Sequence, residues 1–281
     1  MGRLDNGLFP FDRAAPGEVA VFLAEAALAA GPAVMDIYEK DGRAWTKSDG
    51  SPVTLADERA EAVISALLER AAPTIPIVAE EAVCAGKAVS IADRFFLIDP
   101  LDGTREFLAH NGEFTINVAL VEGGRPVAGA VYAPAIATLW YGARQAFVCD
   151  APLGALTPRG NARSICTRPA PRALVAVASR SHCDAETEAC LERLPIAERR
   201  SRGSSLKFCL IAEGEADVYP RCGPTMEWDT AAGDAVLRAA GGIVLDASGA
   251  ALAYGKTDKA LRNGAFVAWG DPTAPEKFAL R

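Results

Sequence analysis

Arg94-Phe95-Phe96-Leu97-Ile98-Asp99-Pro100-Leu101-Asp102-Gly103-Thr104 is the stretch on which the reading of this chain turns. The apolar run to Ile98 predicts a buried strand, and Pro100 and Gly103 then stop it. Asp99 and Asp102, three positions apart, therefore emerge at the mouth of that strand. Carboxylate oxygens so placed suit a hard cation such as Mg2+. Gly103 lets the main chain approach a ligand closely, and Thr104 adds a hydroxyl beside a helix start, where phosphate binds well. The same letters also spell an ordinary Asp-Pro-x-Asp-Gly turn with no chemistry attached. What lies around the segment has to choose between the two.

Before it, Ile75 to Ala79 reads as a short strand leading into Glu80-Glu81, so Glu80 emerges at a sheet end as Asp99 does. Glu18 to Lys40 predicts a first helix ending near Asp41-Gly42. A second helix begins around Thr54, with Ala60, Val63, Ile64, Leu67 and Leu68 spaced for one buried face and Pro73 as its stop. After the segment, Phe114 to Val121 and Val127 to Tyr132, joined through Gly123-Gly124, predict antiparallel sheet. Pro, Arg and Gly are frequent over 151–171, and a boundary is expected there. It divides an N-terminal α+β metal-binding half, 1–160, from a C-terminal α/β half, 161–281, within one unit. The second half reads as strands at Leu174–Ala178, Ala216–Tyr219 and Ile243–Leu245, with helices at Asp184–Leu194, Ser204–Glu213 and Trp228–Ala240. Elements of both kinds in both halves give an α/β or α+β layered protein.

Composition narrows the function. The chain has 281 residues, 50% of them hydrophobic, enough for a large core. A net charge of −7 argues against a binder of nucleic acid polymers, which needs broad basic surface. A small anionic substrate remains compatible if metal ions and local cations receive it. Seven cysteines with no Cys-x-x-Cys pair indicate neither a disulfide framework nor a zinc site, and a reducing cytosol is the expected home. Val19 to Met35 is apolar but broken by Glu25, Gly31 and Pro32 and lacks a basic flank, so it reads as a packed helix, not a signal peptide or integral membrane span. Any association with the inner membrane would then be peripheral. A homo-oligomer is compatible with the sequence, which does not specify one. His110 and His182 are the only histidines, a poor basis for a phosphohistidine or a Ser-His triad.

Asp57 and Asp229 join Glu80 and the Asp99/Asp102 pair at element boundaries. Singly each has a plain explanation: Asp57 favours the first turn of its helix, and Asp229 caps another, worth about 1 kcal/mol. Together, the order and wording of these sites resemble the inositol monophosphatase superfamily of metal-dependent, lithium-sensitive phosphatases. Glu80-Glu81 is similar to the family's Glu-Glu element, Asp99-Pro-Leu-Asp-Gly-Thr104 to its first signature, and Trp228-Asp229-x-Ala231-Ala232-Gly233 to its second. Lys47 to Asp57 is similar to the stretch that supplies an extra acid. The resemblance implies an αβαβα sandwich of the sugar-phosphatase type holding two or three Mg2+ ions. Glu80, Asp99, the main-chain carbonyl of Leu101, Asp102 and Asp229 would be the ligands. Asp57, Glu80 and Thr104 would be catalytic, Thr104 orienting the attacking water.

Ser179-Arg180-Ser181-His182, Gly203-Ser204-Ser205-Leu206-Lys207-Phe208 and Tyr219-Pro220-Arg221 are similar to the bisphosphate-nucleotidase branch of that superfamily. The branch implies hydrolysis of the 3'-phosphate of adenosine 3',5'-bisphosphate (PAP) to give AMP, and of PAPS to give APS. The chemistry agrees, because a second phosphate needs cations away from the metals, and Arg221 and Lys207 are suited to hold it. Ser204, read as lying at a helix start, and His182 would complete a substrate site with Glu80, Leu101, Asp102, Gly103, Thr104 and Asp229. One alternative is an inositol or sugar monophosphatase of the same fold, with no use for the Lys207/Arg221 pair. Another, of a different class, is a non-catalytic metal-dependent nucleotide-binding protein. Two positions depart from the family's wording: Arg105 stands where relatives often carry Lys, and Glu227 puts a further acid before Trp228-Asp229, its direction unreadable in sequence.

Overall fold

The computed structural model describes residues 9–40, 44–46, 52–88, 90–158, 160–179 and 184–278. Helix α1 (Pro16–Tyr38) starts with Pro16 and carries Glu18 in its first turn, both suited to a helix N-terminus. An antiparallel pair, β1 (Ala44–Thr46) and β2 (Pro52–Thr54), leads into α2 (Leu55–Ala71). Thr54 and Asp57 cap α2 reciprocally, the Thr54 hydroxyl accepting from the Ala56 N–H and the Asp57 carboxylate accepting from the Thr54 N–H. Then come β3 (Ile77–Ala79), the short α3 (Glu80–Cys84), β4 (Arg94–Asp102) and α4 (Thr104–Leu108). Strands β5 (Thr115–Glu122), β6 (Arg125–Ala133), β7 (Thr138–Gly142), β8 (Ala146–Asp150) and β9 (Arg163–Ile165) follow.

Strands β3 to β9 pair in chain order into a seven-stranded sheet, parallel at β3–β4 and antiparallel elsewhere. Its last strand comes from beyond residue 160.

The remaining elements are β10 (Leu174–Ser179), α5 (Ala185–Glu192), β11 (Ile196–Arg202), α6 (Leu206–Ala212), β12 (Val218–Arg221), β13 (Thr225–Met226), α7 (Trp228–Ala239), β14 (Ile243–Asp246), β15 (Arg262–Asn263), β16 (Phe266–Trp269) and α8 (Ala274–Lys277). Five of these strands form a second sheet in the order β11-β10-β12-β16-β14, and β13 pairs separately with β15.

The elements stack as helix, sheet, helix, sheet, helix. Helices α1 and α2 cover one face of the larger sheet, α6 and α7 lie between the sheets, and α5 with α8 closes the far side. This is the αβαβα sandwich expected from the resemblance. By length and composition α1 could cross a membrane, yet it packs against β5, β6 and β7 and runs on through Pro32. The middle layer is tight: a Cβ on Gly233 of α7 would meet Phe208 Cδ2 of α6 at 2.5 Å. A larger residue there would force the two helices apart.

Several strands went unread in the sequence. Glu198-Arg199-Arg200 breaks any alternation in β11, because β11 is an edge strand facing solvent. β16 is a four-residue apolar run, too short to tell from a buried helix by periodicity. Helix α6 begins at Leu206, not Ser204, and α1 ends at Tyr38, short of Lys40.

Candidate active site

The β4–β5 ladder shifts register between Asp99 and Asp102, so the chain bulges out where the two acids lie. Asp99 Oδ1 accepts the Leu101 N–H at 3.1 Å, which holds the bulge closed. Gly103 follows with φ 92°, a conformation that disfavours any side chain, and it turns the chain straight into α4 at Thr104. One amide then ties three elements together. Asn117 Nδ2 donates to Asp102 Oδ2 at 3.3 Å and to Ser205 Oγ at 3.0 Å, while its Oδ1 accepts from Thr115 Oγ1 at 3.0 Å. Ser205 Oγ in turn donates to the Asp229 carbonyl at 3.0 Å. The end of β4, the start of α6 and the first turn of α7 are thus locked in register.

Glu80 is placed by a residue from a different helix. Glu61 of α2 accepts the N–H groups of Glu81 at 2.6 Å and Ala82 at 2.9 Å, pinning the turn that Glu80 begins. Asp57 spends Oδ2 on Thr54, at 2.7 Å from its nitrogen and 2.8 Å from its hydroxyl. Its Oδ1 is left 3.5 Å from Thr104 Oγ1, which also lies 3.4 Å from the Leu101 carbonyl.

These groups converge on a cavity of about 370 Å³. Glu80, Asp102, Gly103, Thr104 and Asp229 line it, while Asp57, Asp99 and Leu101 are buried and absent from its lining. Burial, reinforced by the charges of Asp102 and Glu80, pushes the Asp229 carboxyl well above the usual carboxylate range. Its Oδ2 accepts the Met226 N–H at 2.8 Å. Burial raises Asp102 as well, against the pull of the Lys207 ammonium. Among the described residues no three ligating side chains are gathered into a closed metal cluster. The donor set nevertheless fits a hard divalent cation: it is all oxygen, and each carboxylate disfavours the charged form of its neighbour unless a cation joins them.

The same cavity also carries positive charge, Lys207 acting on Asp102 and Arg221 on Asp229. Lys207 is 4% exposed and Arg221 8%. Lys207 Nζ donates to the Ser204 carbonyl at 2.5 Å and lies 5.2 Å from the Tyr219 ring centroid; burial lowers its pKa to about 8. Arg221 Nε donates to the Gly223 carbonyl at 3.1 Å. Ser204 precedes α6 instead of opening it, with φ 46°, and its Oγ is buried without a hydrogen-bond partner. An orphaned hydroxyl beside two buried cations is a place for an acceptor oxygen.

Eleven of the twelve residues expected at the site thus lie on or directly behind this cavity; His182 falls outside the described residues. Asn117, Ser205 and Glu61 went unassigned. A polar residue inside the apolar run Ile116-Asn117-Val118 was the available signal for the first. Glu227 is fully buried off the cavity wall, where it accepts the N–H groups of Gly255 at 2.6 Å and Lys256 at 2.9 Å.

Known proteins match this arrangement along nearly its whole length. Over 238 residues the chain is 44% identical to the 3'(2'),5'-bisphosphate nucleotidase CysQ of Salmonella typhimurium, covering 84% of this chain and 93% of that protein. The crystal structure of CysQ from Bacteroides thetaiotaomicron matches with a TM-score of 0.74 at 37% identity, over 90% of this chain and 97% of that one. An inositol monophosphatase from Zymomonas mobilis matches with a TM-score of 0.72 at 26% identity, over 95% and 99% of the two chains. A family model described as the inositol monophosphatase family spans residues 16–274. With two signatures, the expected sandwich and the acid-lined cavity in place, the chain belongs to the inositol monophosphatase family.

Proposed function

We propose that this enzyme is a Mg2+-dependent 3'(2'),5'-bisphosphate nucleotidase that hydrolyses adenosine 3',5'-bisphosphate to AMP and phosphate. PAPS, which carries the same 3'-phosphate, is a substrate for the same chemistry. The observation that carries the reading is a single cavity lined both by carboxylates and by two buried cations, Lys207 and Arg221. A simple monophosphate ester uses the first wall and brings no phosphate to the second. A substrate with two phosphates uses both. The CysQ relatives, named as nucleotidases of this kind, support the same choice.

Glu80, Asp99, the Leu101 carbonyl, Asp102 and Asp229 would hold the Mg2+, two or three ions in all. Bound there, Mg2+ neutralises phosphoryl oxygens, acidifies a bound water and stabilises the departing alkoxide. The chain's own groups set the geometry. Thr104 Oγ1 directs its hydrogen towards Asp57 Oδ1 or the Leu101 carbonyl and keeps its lone pairs for the attacking water. Asp57 holds that hydroxyl in place and is the carboxylate that could take a proton passed through it. Lys207, Arg221 and the free Ser204 hydroxyl fix the phosphate that is not cleaved, so the 3'-phosphate is presented to the acids.

The test is phosphate release from adenosine 3',5'-bisphosphate and from inositol 1-phosphate, side by side, with Mg2+ and with EDTA. Mg2+-dependent preference for the nucleotide is expected. Preference for the inositol ester would keep the metal site and overturn the substrate. Binding of the nucleotide without release from either ester would favour a non-catalytic binding protein.

A further inference from the structure

A strained turn delivers one more cation to this cavity. Arg262 of β15 is exposed and lines the cavity beside Met226, its partner in the β13–β15 ladder. The residues on either side of it are anchored. Leu261 is buried, and its carbonyl accepts the Glu227 N–H at 2.9 Å. Asn263 Nδ2 donates to Thr230 Oγ1 at 3.0 Å and to the Met226 carbonyl at 3.1 Å. Just upstream, Ala260 and Leu261 both hold positive φ, 50° and 60°, which residues with a Cβ seldom adopt. Glu227 restrains the loop before them by accepting from Gly255 and from the nitrogen of Lys256, whose Nζ lies 2.8 Å away. The network therefore fixes the point from which the Arg262 side chain departs. Among the described residues Arg262 makes no ion pair.

We propose that Arg262 is a specificity-determining residue whose guanidinium grips, at the cavity rim, an oxygen of the substrate's uncleaved phosphate. The inference rests on the bisphosphate reading above. A phosphate dianion offers three oxygens. Lys207 and Arg221, buried in the lining of the same cavity as Pro224, Met226 and Arg262, hold it from within the protein. An outward oxygen faces solvent unless a cation stands at the rim, and a planar guanidinium suits that contact. Because Arg262 is exposed and is none of the groups proposed to hold the metal or the attacking water, it acts on capture of the substrate and not on the chemical step.

The experiment is steady-state kinetics of Arg262→Ala, Arg262→Lys and Ala260→Gly on adenosine 3',5'-bisphosphate and on adenosine 3'-monophosphate, which lacks the second phosphate. For Arg262→Ala, KM for the bisphosphate should rise about tenfold with kcat changed less than about twofold, and KM for the monophosphate should move less than about twofold. The rise of the bisphosphate KM with ionic strength should be shallower in this variant than in wild type. Arg262→Lys should recover part of the loss. Ala260→Gly, which relaxes the turn while leaving Arg262 in place, should raise the bisphosphate KM without lowering the melting temperature. An equal rise on both substrates, or a fall in kcat at normal KM, overturns the proposal. A wild-type enzyme that does not prefer the bisphosphate overturns the underlying reading as well, and does so before any variant is measured.

Discussion

The carboxylate wall and the cation wall belong to one cavity, yet they are built in different ways. Each acid lies at an element boundary: Glu80 opens α3, Asp99 and Asp102 end β4, and Asp229 stands in the first turn of α7. Lys207 and Arg221 belong to α6 and β12, among apolar neighbours such as Phe208 and Tyr219, where a cation is costly. Both walls are electrostatically incomplete. Asp229 is driven towards its neutral acid and Lys207 towards its neutral amine, each chiefly by burial. A ligand set made of divalent cations and a bisphosphate relieves both at once. Under the proposed function, the first wall would hold the reaction and the second the choice of substrate.

Breaking the first wall should have the largest effect. Asp229→Asn keeps an oxygen for the Met226 N–H but removes a proposed metal ligand, and kcat should fall about a thousandfold or more on every substrate. The metal-free variant should melt no lower than wild type. The Asp229 pKa is raised on folding, so its charge costs stability at any pH above the unfolded value, and the substitution removes that cost. Differential scanning fluorimetry with and without Mg2+ checks this, the ion raising the melting temperature of wild type more than that of the variant. Near-normal turnover would remove Asp229 from the site.

Breaking the second wall should be selective. Lys207→Ala or Arg221→Ala should lower kcat/KM for the bisphosphate about a hundredfold and for adenosine 3'-monophosphate only a few-fold, by about the strength of charge-assisted bonds to phosphate. Equal losses on the two substrates would mean that these cations serve the scaffold. A pH profile sharpens the comparison without mutation. The Lys207 ammonium titrates near 8 in the free enzyme, so the ratio of bisphosphate to monophosphate kcat/KM should fall as pH rises above about 8 and level off below it. The smallest effect is expected from Ser204→Ala. Its hydroxyl has no partner in the protein, so the melting temperature should hold while KM for the bisphosphate rises about threefold.

How much of this was legible follows from the same contrast. Acids at strand ends are announced by local grammar: an apolar run, a carboxylate, then Pro or Gly. That is why Glu80, Asp99, Asp102, Gly103 and Thr104 could be placed from the chain alone. Asp57 was visible too, though its bond to Thr54 makes it a helix cap as well as a neighbour of Thr104. Glu61 and Ser205 were given no role because their partners, Glu81 and Asp229, are remote in sequence. The same holds for Arg262, whose relation to the cavity depends on pairing with Met226.

The sequence by itself determined the layered class, the acid positions and the family they resemble, since periodicity, strand ends and turn residues act over a few neighbouring positions. Tertiary structure alone decided that Lys207 and Arg221 are buried, that Ser204 sits before its helix with an unsatisfied hydroxyl, and that Glu227 turns away from the cavity to restrain the Arg262 turn. Burial and charge pairing are properties of surfaces brought together from distant parts of the chain. No local pattern of letters encodes which solvent they lose.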